Sequence, residues 1–162
     1  MPQPVEHGKV AHVIHDHAYG ALGVGYEGRD ICAFVAELVE HGVTRVVDVR
    51  LTPISRKRGF SKTALRDALH DAGITYEHHK ALGNPKDNRP GFRGSQQELD
   101  EAKARYAQLL AEPDAQTALD DVSTYAETER IAVLCFEADQ HRCHRDVVLS
   151  EIFQRAHVPA LA

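Results

Sequence analysis

The sequence predicts an α/β domain in which a mostly parallel sheet of about four to five strands lies between helices, giving three layers. Two observations lead to this fold class. Short apolar segments alternate along the chain with amphipathic helical segments. The chain has 162 residues, 43% of them hydrophobic, which suits one domain with a substantial core. We assign residues 1–18 to an N-terminal tail or short strand and residues 19–162 to the domain.

The first elements follow from apolar runs and helix signals. Residues 21–26 form a short apolar run that predicts a strand. Asp30 is a typical N-cap for a helix over residues 31–41, and Gly42 ends it. Residues 43–49 are β-branched and nearly all apolar, which is typical of a strand covered on both faces.

The middle of the chain continues the alternation. Ser61 is placed to cap a helix that ends at Gly73, and residues 74–78 predict a third strand. Residues 83–94 are rich in glycine, proline and polar side chains, so we predict a long loop there. Loops of this length in compact domains are often functional.

The last third contains three helices and one strand. Ser95 forms a capping box with Glu98, three residues later, and predicts a helix to about residue 111. Asp114 is expected to cap the next helix, which ends near residue 128. Residues 130–136 predict a fourth buried strand, and a final helix is expected over residues 143–156.

Charge is distributed unevenly along the chain. The net charge is −5, which argues against a generally basic nucleic-acid-binding protein. However, residues 45–66 contain seven basic side chains and one acidic one, whereas residues 95–130 contain nine acidic and three basic ones. The basic segment includes the end of a predicted strand. It therefore indicates an anion site at one edge of the sheet.

Other features limit the setting of the protein. The longest strongly apolar run, residues 131–136, is far too short to span a membrane. The N-terminal residues contain no long apolar stretch with a cleavage site, so we expect no signal peptide. Three cysteines are too few and odd in number for a disulfide framework. We therefore expect a cytoplasmic protein. The sequence identifies neither a cofactor nor an oligomeric state.

The carboxyl ends of parallel strands are where α/β proteins bind ligands. After the first strand, Gly23, Gly25 and Gly28 match the GxGxxG pattern of Rossmann-like dinucleotide sites, and Asp48 follows at the expected distance. The alternative explanation is a tight strand-to-helix turn that needs glycine. Tyr26 lies in the same turn, and we place it with Gly25 among the candidate ligand-binding residues.

The second strand ends in Asp48 and Arg50, whose side chains project the same way because directions alternate along a strand. Ser55 and Arg56 follow in a basic loop. Arginine binds phosphate and carboxylate groups through two parallel hydrogen bonds, so Arg50, Ser55 and Arg56 are candidate anion-binding residues. The alternative is a solvated basic loop beside an ion pair between Asp48 and Arg50.

The fourth strand leads into Cys135, Glu137, Cys143, His144 and Arg145. A thiol near a helix N-terminus and basic side chains has a lowered pKa, which makes Cys143 a candidate nucleophile. A second interpretation is a metal site that uses Cys135, Glu137, Cys143 and His144, although the spacing matches no recognised zinc pattern. In the third, the cysteines pack in the core and Arg145 binds an anion.

Three histidines near the N-terminus, His12, His15 and His17, have a spacing compatible with metal binding. The simpler interpretation is a histidine-rich tail.

Several motifs occur together in a fixed order, and they resemble one family. They are GVGYEGR, DVR, PISR followed by GF, ITYEHHKALG and CFEADQHRCHR, spread over residues 21–156. This combination resembles the domain-of-unknown-function 488 family. The resemblance implies an α/β fold with a cluster of motif residues at one sheet edge, and a closing strand reduced to residues 158–161. It implies no established reaction.

The sequence therefore predicts a polar cleft that binds a phosphate-bearing ligand, such as a nucleotide or a nucleic acid. If the protein is an enzyme, we expect a hydrolase or transferase acting on a phosphate-bearing substrate. Glu137 or His144 is then the general base, and the arginines stabilise developing charge. The candidate catalytic residues are Cys143, Glu137, His144 and Asp48. Three alternatives stay open: a non-catalytic nucleic-acid-binding module, a metal-dependent hydrolase and a dinucleotide-binding protein.

Overall fold

A computed structural model describes residues 18–161 of the chain. Its four strands are β1 (Gly20–Gly25), β2 (Arg45–Asp48), β3 (Thr75–His78) and β4 (Arg130–Cys135). Its α-helices are α1 (Ile31–Glu40), α2 (Lys62–Asp71), α3 (Arg89–Phe92), α4 (Gln96–Leu109), α5 (Pro113–Ala126) and α6 (Arg145–Ala156). Short 3₁₀ turns cover Lys80–Leu82, Lys86–Asn88 and Gln140–Arg142.

All strand pairs in the sheet are parallel, and the strand order is β1-β4-β2-β3. β4 therefore lies between β1 and β2, and all six of its residues are buried. A single parallel bridge joins Ala21 to Ala160, where the resemblance implied a reduced closing strand. These observations confirm the predicted three-layer α/β class.

Alternating side chains of the strands form two cores, one on each face of the sheet. Leu22, Val46 and Leu134 pack on one face with the apolar sides of α1 and α2. Val47 and Val133 pack on the other face with residues of α4, α5 and α6. Burial on both faces explains why the strand sequences are continuously apolar and do not alternate between apolar and polar residues.

The helices leave the sheet in different directions. The chain passes from β1 into α1 and from β2 into α2 on one face, whereas it passes from β4 into α6 on the other. A parallel sheet has a crevice wherever neighbouring strands send their connections to opposite faces. Both neighbours of β4 meet this condition, so its carboxyl end, at Cys135, lies in such a crevice.

Two predicted helix starts and one predicted loop were wrong, each for a local reason. The helix assigned to an Asp114 cap begins at Pro113 with Glu112 as N-cap, because proline is favoured in the first helical turn. The final helix begins at Arg145, since Cys143 has an extended backbone conformation. Residues 83–94 are not a plain loop, because α3 places Phe92 against Leu99 and Ala102.

Ser61 occupies the N-cap position of α2, but its side chain does not cap the helix. Its hydroxyl instead donates to the carbonyl oxygen of Ser55 and accepts from the backbone N–H of Ser55. Within residues 18–161, no helix combines the length and apolar character needed to cross a bilayer. The histidines at positions 12, 15 and 17, and residues 1–17 of the predicted tail, lie outside the described residues.

Candidate functional site

A cleft of about 230 Å³ opens at the carboxyl ends of β4 and β2. Its walls come from four separate parts of the chain: the turn after β1, the loop after β2, the segment around α3 and the segment after β4. The lining residues are Tyr26, Arg50, Leu51, Thr52, Ile54, Asn84, Arg89, Phe92, Arg93, Cys135, Phe136, Glu137, Arg142, Cys143 and His144.

Two cysteines and a histidine meet on one wall of this cleft. The Sγ atoms of Cys135 and Cys143 and the nearer ring nitrogen of His144 all lie within 4.8 Å of one another. The distance to His144 Nδ1 is 3.8 Å from Cys135 Sγ and 3.9 Å from Cys143 Sγ. All three residues are buried, with Cys143 only 1% exposed. This wall is called the Cys–His cluster below.

A backbone carbonyl group just beyond the end of β2 fixes the orientation of the His144 ring. His144 Nε2 lies 2.8 Å from the carbonyl oxygen of Val49, which can only accept a hydrogen bond. Nε2 therefore carries a hydrogen, and Nδ1 faces the two sulfur atoms. The His144 and Tyr106 rings also pack nearly at right angles, with 5.2 Å between ring centroids.

The two thiols of the Cys–His cluster differ in acidity. A hydrogen bond to Cys143, together with burial, raises the pKa of Cys135 well above its usual range. Burial alone would raise the pKa of Cys143. However, hydrogen bonds from Cys135 and His144 and the positive charge of Arg145 outweigh burial and lower that pKa. Of the two thiols, Cys143 is therefore the more acidic.

Glu137 lies two residues beyond the end of β4 and also lines the cleft. Its Oε2 atom is 3.5 Å from Cys135 Sγ. Burial, with a further contribution from the negative charge of Cys143, raises the pKa of the Glu137 carboxyl group. The raised pKa brings this carboxyl closer to the range in which a general base works near neutral pH.

Asp48 is fully buried at the end of β2 and holds Arg50 in place. It accepts hydrogen bonds from the Nε and Nη2 atoms of Arg50, the latter at 2.7 Å, and from the Tyr76 hydroxyl at 2.6 Å. Desolvation would lower the pKa of Arg50, but these bonds to Asp48 raise it above its usual value. Asp48 does not line the cleft, so it acts as a positioning residue.

Arg50 itself is 6% exposed and largely occupied by protein partners. Its Nη1 atom donates to the carbonyl oxygen of Phe60 at 2.6 Å and to the Tyr26 hydroxyl at 3.2 Å. The Tyr26 ring stacks on the Phe60 ring at 4.4 Å between centroids. Within the described part of the chain, these contacts leave one N–H of the guanidinium for a ligand.

Three further arginines line the cleft, and none of them was predicted from the sequence as a site residue. Arg142 donates through Nη1 to the carbonyl oxygens of Phe92 and Gly94, so it ties α3 to the segment after β4. Arg89 and Arg93 are exposed at the cleft. Arg89 Nε donates to the Asn84 carbonyl oxygen. The composition of residues 83–94 predicted a long loop of a kind that is often functional, but it gave no signal for the contact with Arg142.

A family model described as "Domain of unknown function DUF488" matches residues 30–152. The chain belongs to this family. No curated protein and no solved structure has significant similarity to the chain. The motif residues on which the resemblance rests form two groups in the structure, the Asp48–Arg50–Tyr76 network and the Cys–His cluster with Glu137.

Other candidate residues lie outside the cleft of this family member. Arg145 is buried, and its guanidinium donates to the carbonyl oxygens of Glu137 and Ala138 behind the cleft wall. Ser55 is tied to Ser61, and Arg56 is exposed in the loop between β2 and α2. Neither lines the cleft.

The glycine-rich turn has a structural explanation. A Cβ atom on Gly25 would lie 2.0 Å from the Glu137 carbonyl oxygen, and one on Gly23 would overlap the Gln140 side chain. The absence of side chains therefore lets the segment after β4 approach β1. A cavity of about 220 Å³, lined by Gly23, Gly25, Arg29 and Arg145 among others, lies beside the turn, and dinucleotide binding there stays a prediction.

Proposed function

We propose that the protein is a hydrolase that binds a phosphate-bearing ligand of about mononucleotide size in the cleft. This proposal rests on one observation: several arginines line the same cleft as the Cys–His cluster and Glu137. Arginine is suited to phosphate because its guanidinium makes charge-assisted, paired hydrogen bonds to phosphate oxygens. The cluster and Glu137 provide groups for proton transfer beside it.

The charges of the cleft favour an anionic ligand. Arg50, Arg89, Arg93 and Arg142 line it, and Glu137 is the acidic residue among its lining side chains. The charge of Arg50 is matched by Asp48. The exposed guanidinium groups of Arg89 and Arg93 are therefore the principal candidates for binding phosphate from the cleft opening.

The volume of the cleft favours a small ligand. Ligand pockets for drug-sized molecules range from about 300 to 1,000 Å³, so a cleft of about 230 Å³ suits a phosphate with part of a nucleoside. The basic segment 45–66 does not form one continuous surface for nucleic acid. Arg45, at the opposite end of β2, pairs with Glu77 and Glu129, and Arg50 is buried.

The proposed reaction is hydrolysis of a phosphate ester. Glu137 accepts a proton from water while the water oxygen forms a bond to phosphorus. The bond from phosphorus to the leaving oxygen breaks on the opposite side of phosphorus, where the leaving oxygen takes a proton from solvent, and Glu137 then returns its proton to solvent. The arginines stabilise the negative charge that develops on the phosphoryl oxygens. The setting that suits this site is the reducing cytoplasm, which keeps Cys135 and Cys143 as thiols.

Two measurements test this proposal. Titration calorimetry with adenosine monophosphate and with inorganic phosphate measures binding, and release of p-nitrophenol from p-nitrophenyl phosphate measures hydrolysis. We expect Arg93→Ala and Arg89→Ala each to weaken adenosine monophosphate binding by about tenfold, equivalent to ~1.4 kcal/mol for one lost charged contact. Glu137→Gln is expected to abolish hydrolysis while binding persists.

Arg66→Ala is the matched control, because Arg66 is an exposed arginine on α2 that pairs with Asp67 and does not line the cleft. Arg66→Ala should bind adenosine monophosphate with the same affinity as the unchanged protein. If neither phosphate compound binds at millimolar concentration, or if Arg66→Ala weakens binding as much as Arg93→Ala, the proposal is wrong.

A further inference from the structure

The side chains of the Cys–His cluster are spaced like the ligands of a tetrahedral metal ion. Zinc lies about 2.3 Å from sulfur and about 2.0–2.1 Å from nitrogen, so two neighbouring ligand atoms of a tetrahedral site are about 3.6 Å apart. In this protein His144 Nδ1 lies 3.8 and 3.9 Å from the two sulfur atoms. Glu137 Oε2 lies 3.5 Å from Cys135 Sγ. Small side-chain movements suffice to bring these atoms onto one ion.

The groups behind the cluster prepare His144 for this role. Metal-bound histidines usually donate their other ring N–H to a carboxylate or a backbone carbonyl, which fixes the tautomer and the ring orientation. His144 Nε2 makes this contact with the Val49 carbonyl oxygen at 2.8 Å. Nδ1 is consequently the atom aimed at the sulfur atoms, and it offers a lone pair once no proton occupies it.

The ligand types indicate which ion the site suits. Two thiolates and one imidazole favour a thiophilic divalent ion such as zinc over magnesium or calcium, which prefer oxygen ligands. Two thiolates also neutralise the charge of a divalent ion. Burial of Cys135, Cys143 and His144 limits competition from water.

We infer that Cys135, Cys143 and His144 bind one zinc-class divalent cation, with Glu137 beside the fourth, cleft-facing coordination position. Binding displaces to solvent the protons that the thiols and the imidazole share. This inference deepens the proposed function, since the ion would lie at the inner end of the same cleft and lower the pKa of a bound water. Its test measures metal binding alone, so it can fail or succeed independently of phosphate binding.

The test uses Co²⁺ as a spectroscopic probe in the full-length, untagged protein. The protein is stripped of metal with a chelator, reduced and titrated with Co²⁺. We expect saturation at one ion per chain, with an intense sulfur-to-cobalt charge-transfer absorption and the visible bands of a tetrahedral ion. Zn²⁺ should then displace the colour. Histidines near the N-terminus cannot mimic this result, because they lack the sulfur that gives the charge-transfer band.

Two cysteine variants make a matched pair. Cys143→Ser should bind Co²⁺ at least tenfold more weakly and, at saturation, should keep only about half of the charge-transfer intensity, because one of the two thiolates remains. Cys32→Ser should behave like the unchanged protein, because Cys32 is exposed on α1. Circular dichroism checks that both variants fold. Two results would overturn the inference. One is the absence of the charge-transfer band in the unchanged protein, and the other is a band that keeps its full strength in Cys143→Ser.

Discussion

Replacing Asp48 with asparagine tests the role that the structure gives to the most buried acidic side chain of the site. Asp48 is 0% exposed and accepts hydrogen bonds from Arg50 and Tyr76. The amide of asparagine carries no charge and turns an N–H₂ group toward these donors. The substitution therefore leaves the buried Arg50 guanidinium without a counter-ion and with fewer hydrogen bonds.

The expected loss of stability is large. Removing one partner of a buried ion pair costs about 3–5 kcal/mol. A domain of this size loses roughly 2–4 °C in melting temperature per kcal/mol, so the melting temperature should fall by about 6–20 °C. Tyr76→Phe removes one hydrogen bond to the same carboxylate and should cost about 1.5–3 kcal/mol.

Urea unfolding followed by circular dichroism measures these losses. Asp67→Asn is the control, because Asp67 pairs with Arg66 at the exposed surface and an exposed pair contributes about 0–1 kcal/mol. The reasoning is refuted if Asp48→Asn unfolds within about 1 kcal/mol of the unchanged protein. A stable Asp48→Asn protein that has lost hydrolysis would instead make Asp48 catalytic, as the sequence analysis expected.

Three further results are expected. Gly25→Ala should destabilise the protein by about 1–3 kcal/mol in urea unfolding, because the added Cβ overlaps the Glu137 carbonyl oxygen; unchanged stability would contradict that packing. Ser95→Ala should cost about 1 kcal/mol, since it removes the capping box of α4, and a Ser95→Asp variant should recover most of that loss. Burial raises the pKa values of Tyr76 and Tyr106, so two of the five tyrosines should ionise late in an ultraviolet titration. Because unfolded tyrosine ionises near pH ~10, stability should be lost as the pH rises above that value, and simultaneous ionisation of all five in the native state would contradict this.

The layers of the fold were predictable because local signals and burial agree. β4 lies at the centre of the sheet, and its apolar run is long enough to identify a strand covered on both faces. The capping box at Ser95 likewise marks the start of α4, since both of its hydrogen bonds are local. By contrast, the order β1-β4-β2-β3 depends on long-range pairing, which periodicity does not encode.

The candidate site was only partly predictable, for a similar reason. Strand ends pointed to Asp48, Glu137 and the cysteines, because parallel strands bring their carboxyl ends to one edge. Side-chain direction beyond the strands was not predictable. Arg145 turns behind the cleft to bind backbone carbonyls, whereas Arg142 faces the cleft through its contacts with α3.

A crystal structure of the full-length protein grown with Zn²⁺ and adenosine monophosphate tests the central claim most directly. We expect one ion bound by Cys135, Cys143 and His144, and the phosphate of the nucleotide in contact with Arg89 or Arg93 in the same cleft. A cleft that holds neither ion nor phosphate, with the nucleotide absent or bound elsewhere on the surface, would contradict the account.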